Sequence, residues 1–133
     1  MQIIIDTNIL IYCYDTSDSR KHDIANQILT DYAYNISFTT QILSEFSSVM
    51  LRKKYASEDV HNTVKLYSKL MTIHLVEPKH ILKAIEATQQ YRMSFWDAQI
   101  WAVAVSNRIP EIFTENGPSQ QTIEGVTWRN PFA

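Results

Sequence analysis

Ile3-Ile4-Ile5-Asp6-Thr7-Asn8 is the stretch that decides how this chain folds. Three consecutive β-branched residues, with no polar residue between them, predict a buried strand. Asp6 follows where that strand leaves its sheet, and in open α/β sheets ligands gather outside the carboxyl ends of the strands. An unpaired buried charge is costly, so this carboxylate is expected to hold a metal, a base or a partner charge. The competing reading makes Asp6 a helix cap or a turn former for Thr7-Asn8.

Outward from that strand, the spacing of Ile24, Ile28 and Leu29 predicts a helix over 19–31. A short strand is expected over 35–38. Thr39 or Thr40 then caps a helix whose apolar residues Ile42, Leu43, Phe46, Val49 and Met50 follow helical spacing. Tyr55-Ala56-Ser57 breaks it, and Val60, Val64, Tyr67 and Leu70 mark another helix. A strand over 72–76 precedes Pro78, which suits the first turn of a helix running to about Tyr91. Ser94 caps a very apolar helix over 95–106, and short strands follow at 112–114 and 126–128. Strands alternating with helices predict an α/β domain with a mostly parallel sheet.

The 133 residues suffice for a single domain spanning 1–133 with one sizeable core. Two glycines and four prolines leave little room for linkers, and the lone Cys13 excludes an internal disulfide or a cysteine-rich zinc cage. One cysteine suits a reducing cytoplasm. Met1 to Ile5 lack the basic flank and long apolar core of a signal peptide, and no apolar stretch approaches membrane-spanning length. A net charge of −2 offers no overall field for nucleic acid, so any such binding needs local patches or a metal. Arg52-Lys53-Lys54 is the densest basic run, and it reads first as the solvated, dipole-matched end of a helix.

Three further places carry possible chemistry. Glu45 lies on the flank of the Ile42/Leu43/Phe46 stripe, where a side chain leans into a cleft or into water. Asp97 is a solitary acid near the start of an otherwise apolar helix. It is either an N-terminal residue countering the helix dipole behind Ser94, or a carboxylate in a semi-buried site. Thr114-Glu115-Asn116-Gly117 follows a strand and is either a turn or a loop set beside Asp6. Carboxylates that converge without histidine or cysteine favour Mg²⁺ or Mn²⁺ over zinc. His22, His61, His74 and His80 fall outside these segments and form no metal-type motif.

Ile5-Asp6-Thr7-Asn8-Ile9-Leu10, Leu43-Ser44-Glu45-Phe46, Ser94-Phe95-Trp96-Asp97-Ala98, Thr114-Glu115-Asn116 and Asn130-Pro131-Phe132 together resemble a PIN domain, most closely the VapC-type toxins of bacterial toxin–antitoxin pairs. The resemblance covers essentially the whole chain in the right order. It implies a three-layer α/β/α fold with a mostly parallel central sheet and a Mg²⁺- or Mn²⁺-dependent endoribonuclease. It also implies catalytic and metal-site roles for Asp6, Glu45 and Asp97, with Thr7, Asn8, Thr114 and Glu115 supporting them. RNA as substrate, a cognate antitoxin and a homodimer are implied in the same way.

One departure stands out. Where the family usually carries Glu-Asp, this chain has Glu115-Asn116, so the fourth acid position is an amide that offers a carbonyl oxygen but no charge. Fewer ligand charges weaken divalent-ion binding, unless Glu115 turns inward to compensate. The alternative function is therefore a catalytically weakened PIN domain that acts by binding RNA or an antitoxin. A receiver-like domain phosphorylated on Asp6 is a third reading, but Glu45 and Asp97 would have no role in it and no lysine occupies a matching strand end. Lys53, Lys54, Arg92, Arg108 and Arg129 are candidates to rim an acidic pocket. Tyr55, Tyr67 and Leu70 fill the core or, less expectedly, a dimer face.

Overall fold

The isoleucine run forms strand β1 (Ile3–Ile5), all three residues buried, in a computed structural model that describes residues 1–118 and 120–133. Strands β2 (Ile36–Thr39), β3 (Thr72–His74), β4 (Glu111–Phe113), β5 (Thr122–Ile123) and β6 (Val126–Arg129) complete one sheet, ordered β3-β2-β1-β4-β6-β5. Every neighbouring pair is parallel except β5 with β6, an antiparallel hairpin at the edge. β1 is therefore central, and its continuous apolar run suits a strand covered on both faces.

The helices are α1 (Thr7–Tyr12), α2 (Ser19–Asp31), α3 (Thr40–Arg52), α4 (Ser57–Leu70), α5 (Pro78–Gln90) and α6 (Phe95–Ser106). α1 packs on α2 and α3, α3 packs on α4, and α5 packs on α6. The connections from β1 to β2 and β2 to β3 step one way across the sheet, and that from β3 to β4 steps back. Right-handed crossovers then place the first four helices on one face and the last two on the other, giving the expected α/β/α layering. Trp101, Trp128, Phe38 and Phe46 are fully buried side chains of this core, each contributing about 1.5–3 kcal/mol. No helix among the described residues is long and apolar enough to cross a membrane.

The elements differ from the expectations in instructive ways. The helices over 19–31 and 95–106 form as read, and Thr39 caps α3 by accepting from Ile42 N–H at 3.1 Å. The 35–38 strand is shifted one residue on, to Ile36–Thr39, and the 112–114 strand is shifted back, to Glu111–Phe113. The 72–76 strand stops at His74, because Val76 N–H turns to the Thr40 hydroxyl at 3.2 Å. α1 and β5 are additional. Tyr67 is core, stacked edge-on against Phe38, whereas Leu70 is 66% exposed and Tyr55 is also exposed.

Candidate active site

The site begins where β1 ends. Asp6 donates its backbone N–H to Phe113 O at 2.9 Å, extending the β1–β4 ladder by one bond and setting Thr114 beside it. Its carboxylate is 7% exposed and is the N-cap of α1, with Oδ1 accepting from Thr7 N–H at 2.7 Å. Oδ2 accepts from the Thr114 hydroxyl at 2.9 Å. The expected capping role is thus realised, by a side chain that is also buried.

Thr114 and Asn8 fasten the loop after β4 to α1. Asn8 Nδ2 donates to Thr114 Oγ1 at 3.1 Å, and Glu115 N–H donates to Asn8 Oδ1 at 3.3 Å. From behind, Asn130 Nδ2 donates to Glu115 O at 3.2 Å while its own carbonyl accepts from Phe132 N–H at 2.9 Å. Gly117 is required here by close approach: a Cβ would lie 2.7 Å from both Thr114 Cγ2 and the Trp128 ring. Thr7, Asn8, Thr114 and Glu115, expected to support the site, are brought together around Asp6 as one bonded unit.

Glu45 reaches the site from α3. Gln41, one turn earlier on the same face, donates to Glu45 Oε1 at 2.6 Å, and the Thr7 hydroxyl faces Oε2 at 3.4 Å. Gln41 also donates to Trp96 O at 3.3 Å and accepts from Gln99 Nε2 at 2.5 Å, tying the start of α3 to the start of α6. Sequence reasoning overlooks Gln41 and Gln99; the i, i+4 spacing of Gln41 and Glu45 was the available signal. Asp97, half-buried, receives the Ser94 cap at its backbone N–H at 3.2 Å, as a third helical residue should.

Asp6 and Asp97 are both held above the ordinary carboxylate range. Burial pushes the Asp6 carboxyl from 3.8 up to about 6, against its bonds from Thr7 and Thr114 and with help from the charges of Asp97 and Glu45. Burial and then the Glu45 charge raise Asp97 as well. No Lys or Arg among the described residues forms an ion pair with Asp6, Glu45 or Asp97. A cluster of hard carboxylate oxygens whose negative charge opposes its own ionisation, with no cation paired to it, fits a divalent metal. As placed, no three carboxylates, histidines or cysteines among the described residues close around an ion. Glu45 is turned into its Gln41 bond instead.

Glu115 does not turn toward Asp6. It forms an ion pair with Lys21 and accepts from Tyr12 Oη at 2.7 Å. Burial pushes its carboxyl up, but the Lys21 and Tyr12 bonds outweigh this and leave it below its ordinary range. Asn116 is exposed, and its backbone N–H points to Thr114 Oγ1 at 3.4 Å.

The proposed basic rim is mostly committed elsewhere. Lys53 meets Asp15 at 3.4 Å and Arg129 pairs with Glu111. Lys54, Arg92 and Arg108 adopt positive φ just past the C-caps of α3, α5 and α6, a helix-terminating conformation that supports the dipole-matched reading of Arg52-Lys53-Lys54. Arg108 precedes β4 and so lies at the end of the sheet opposite Asp6. Beside Glu45 opens a cavity of about 670 Å³, lined by Thr40, Gln41, Ser44, Glu45, Trp96 and Gln99 among others.

Comparison with known proteins agrees with this fold. The PIN domain model matches residues 3–118. No curated protein matches the sequence. Among solved structures, VapC20 of Mycobacterium tuberculosis, described as a sarcin–ricin loop cleaving toxin, superposes with a TM-score of 0.76 at 19% identity, covering 92% of this chain and 98% of that one. A toxin–antitoxin complex from Klebsiella pneumoniae gives 0.74 at 24% identity, with 98% of each chain covered. VapBC-1 from nontypeable Haemophilus influenzae gives 0.70 at 17% identity over 100% of both. At these identities the likeness is one of fold.

Proposed function

This chain belongs to the PIN domain family, and from that premise we propose that it is a metal-dependent endoribonuclease, the toxin of a VapBC-like toxin–antitoxin pair. The observation that carries the reading is the buried Asp6 carboxylate at the carboxyl end of a parallel sheet, pinned by Thr7 and Thr114, with Glu45 and Asp97 near enough to add to the burial that raises it. The reading takes the chain as one PIN-like domain over 1–133, acting in the cytoplasm on RNA. An antitoxin that holds it in check is supported by the likeness to a toxin–antitoxin complex, and pairing as a homodimer completes the reading.

Asp6, Asp97 and Glu45 are the residues that would hold Mg²⁺ or Mn²⁺, with the Asn116 carbonyl as a candidate fourth donor. Such an ion supplies Lewis acidity and charge neutralisation for in-line displacement at a phosphodiester by water. The protein's own part is positioning. Thr7 N–H and Thr114 Oγ1 fix both Asp6 oxygens, and Gln41 holds Glu45 on the same side. The Asn8–Thr114–Glu115 bonds keep the loop after β4 against α1.

The test is cleavage of RNA by purified protein with Mg²⁺ or Mn²⁺ titrated, beside Asp6→Asn, Glu45→Gln and Asp97→Asn. Each substitution should abolish cleavage while the fold persists. Cleavage surviving all three refutes the assignment. A second reading, a weakened nuclease that acts by binding RNA or antitoxin, is favoured by Glu115 being bound to Lys21 and Tyr12 and by Asn116 lacking a charge. Under it, Asn116→Asp gains cleavage that the native chain lacks.

A further inference from the structure

We propose that the cavity between the starts of α3 and α6 is a nucleobase pocket, in which the indole of Trp96 stacks an unpaired base of the RNA next to the cleaved phosphodiester. The proposal rests on the ribonuclease reading and adds a residue that holds the substrate rather than the metal.

Three observations carry it. First, Trp96 is 61% exposed although it sits on the most buried helix of the fold, between Phe95 and the candidate acid Asp97. The other two tryptophans behave as core residues should, Trp101 at 1% and Trp128 at 0%. A large exposed indole one residue from an acidic site is unexplained by packing.

Second, the ring is placed rather than loose. Phe95 meets it edge-on with centroids 5.1 Å apart, and the Trp96 backbone carbonyl is anchored by Gln41, the same amide that holds Glu45. Any shift of Trp96 is therefore linked to the candidate active site through one side chain.

Third, the cavity beside it is of small-molecule size, about 670 Å³, with a mostly apolar wall into which hydroxyls and amides are set and in which Glu45 is the one charged residue among those described. The Thr40 hydroxyl accepts from Val76 N–H and keeps its proton to donate. Ser44 and Ser48 add hydroxyls, and Gln99 adds an amide. Hydroxyls and amides beside an aromatic face are the groups that hydrogen-bond a base edge while stacking its plane. A base inside a duplex is already stacked and cannot enter, so the pocket selects unpaired or extruded nucleotides. A peptide side chain is the rival occupant. The flat exposed ring, with the Thr40, Ser44 and Ser48 hydroxyls and the Gln99 amide set around it, favours a base.

The experiment uses the whole chain in EDTA, so that binding is read without cleavage. A short mixed-sequence single-stranded RNA and its duplex are titrated against the native protein, Trp96→Leu and Trp96→Phe. Stacking contributes enough per base that Trp96→Leu should weaken single-stranded binding by roughly 5- to 150-fold, while Trp96→Phe, which keeps a ring, retains most of it. Because the other indoles are buried, acrylamide quenching of native fluorescence reports Trp96, and single-stranded RNA should shield it where duplex does not.

Native affinity in Trp96→Leu, with both variants melting like the native chain, overturns the pocket and leaves the nuclease reading standing. No RNA binding by the native chain, with Trp96 shielded instead by a protein partner, overturns it in favour of a protein-docking surface. Shielding by single-stranded RNA without metal-dependent cleavage supports the pocket and removes the nuclease reading.

Discussion

Asp6→Asn should make this protein more stable at neutral pH, although it removes a native cap acid. The carboxyl is 7% exposed and is pushed from 3.8 to about 6, first by burial and then by Asp97 and Glu45. Between those two values the folded state keeps a proton that the unfolded chain releases. Stability therefore falls as pH rises through that window and is fully restored below pH 4. At about 1.4 kcal/mol for each pH unit of difference, ionisation of Asp6 costs the fold about 3 kcal/mol above pH 6. Asparagine avoids that cost and still caps α1. It has one carbonyl for two donors, Thr7 N–H and Thr114 Oγ1, so about 1 kcal/mol returns as a lost bond. The net gain is about 2 kcal/mol at pH 7.5, or roughly 6–10 °C in Tm for a chain of this length. The assay is thermal and urea unfolding of both proteins in EDTA from pH 4 to pH 8. The gain should shrink to nothing or reverse near pH 4. A variant no more stable than native at pH 7.5, or one whose gain does not change with pH, refutes the account of Asp6 as a carboxylate penalised first by burial and then by its neighbours' charges.

Mg²⁺ or Mn²⁺ should raise the native Tm at pH 7.5, by about 2.7 kcal/mol of stability at a hundred times the dissociation constant, and leave Asp6→Asn unmoved in the same calorimetric scan. Asn116→Asp should lower the metal concentration needed for half-maximal stabilisation, with little change in stability in EDTA, because Asn116 is exposed; an unchanged midpoint places its side chain outside the metal site. Gln41→Leu should cost about 1–3 kcal/mol in urea unfolding by stranding the Gln99 amide, and it should depress cleavage by freeing Glu45. Gly117→Ala should cost about 1–3 kcal/mol, since its new methyl meets Thr114 and Trp128 at 2.7 Å, and it should disturb the amide signals of Asn8 and Glu115 by NMR.

How much of this was legible in the sequence depended on how locally each feature is encoded. α2 was readable from the spacing of Ile24, Ile28 and Leu29, and α6 from the Ser94 cap and an unbroken apolar run; Asp18, which the spacing did not point to, caps α2 as Ser94 caps α6, through bonds to residues three positions on. α1 was not readable, because Ile9, Leu10 and Ile11 are consecutive apolar residues that show no helical period within a helix of six residues. β5 is two residues long and exists only by pairing with β6. Asp6 could be placed at a strand end from its flanks alone. That Glu45 and Asp97 approach it could not, because their helices are tied by Gln41 bonding Gln99 and the Trp96 carbonyl, contacts between residues more than fifty positions apart. The partner of Glu115 was equally hidden: Lys21 lies 94 positions away and meets it only because α2 packs on α1.

Asp6 as a helix cap and Asp6 as a site acid are not alternatives, and the direction of its titration separates what each role explains. A cap aspartate gains bonds to its charged form, which would hold its carboxyl below the ordinary range. Thr7 N–H and the Thr114 hydroxyl do act in that direction. Burial and two like charges outweigh them, so the fold holds at β1 a carboxylate that its own surroundings penalise. A neutral cap such as serine or asparagine would fulfil the structural task at lower cost. The residue therefore carries a liability that capping does not account for, and a bound divalent cation is the simplest source of compensation. Asp6→Asn, which keeps the cap and deletes the charge, is for this reason the informative variant, whereas Asp6→Ala removes both and confounds loss of activity with loss of the α1 start.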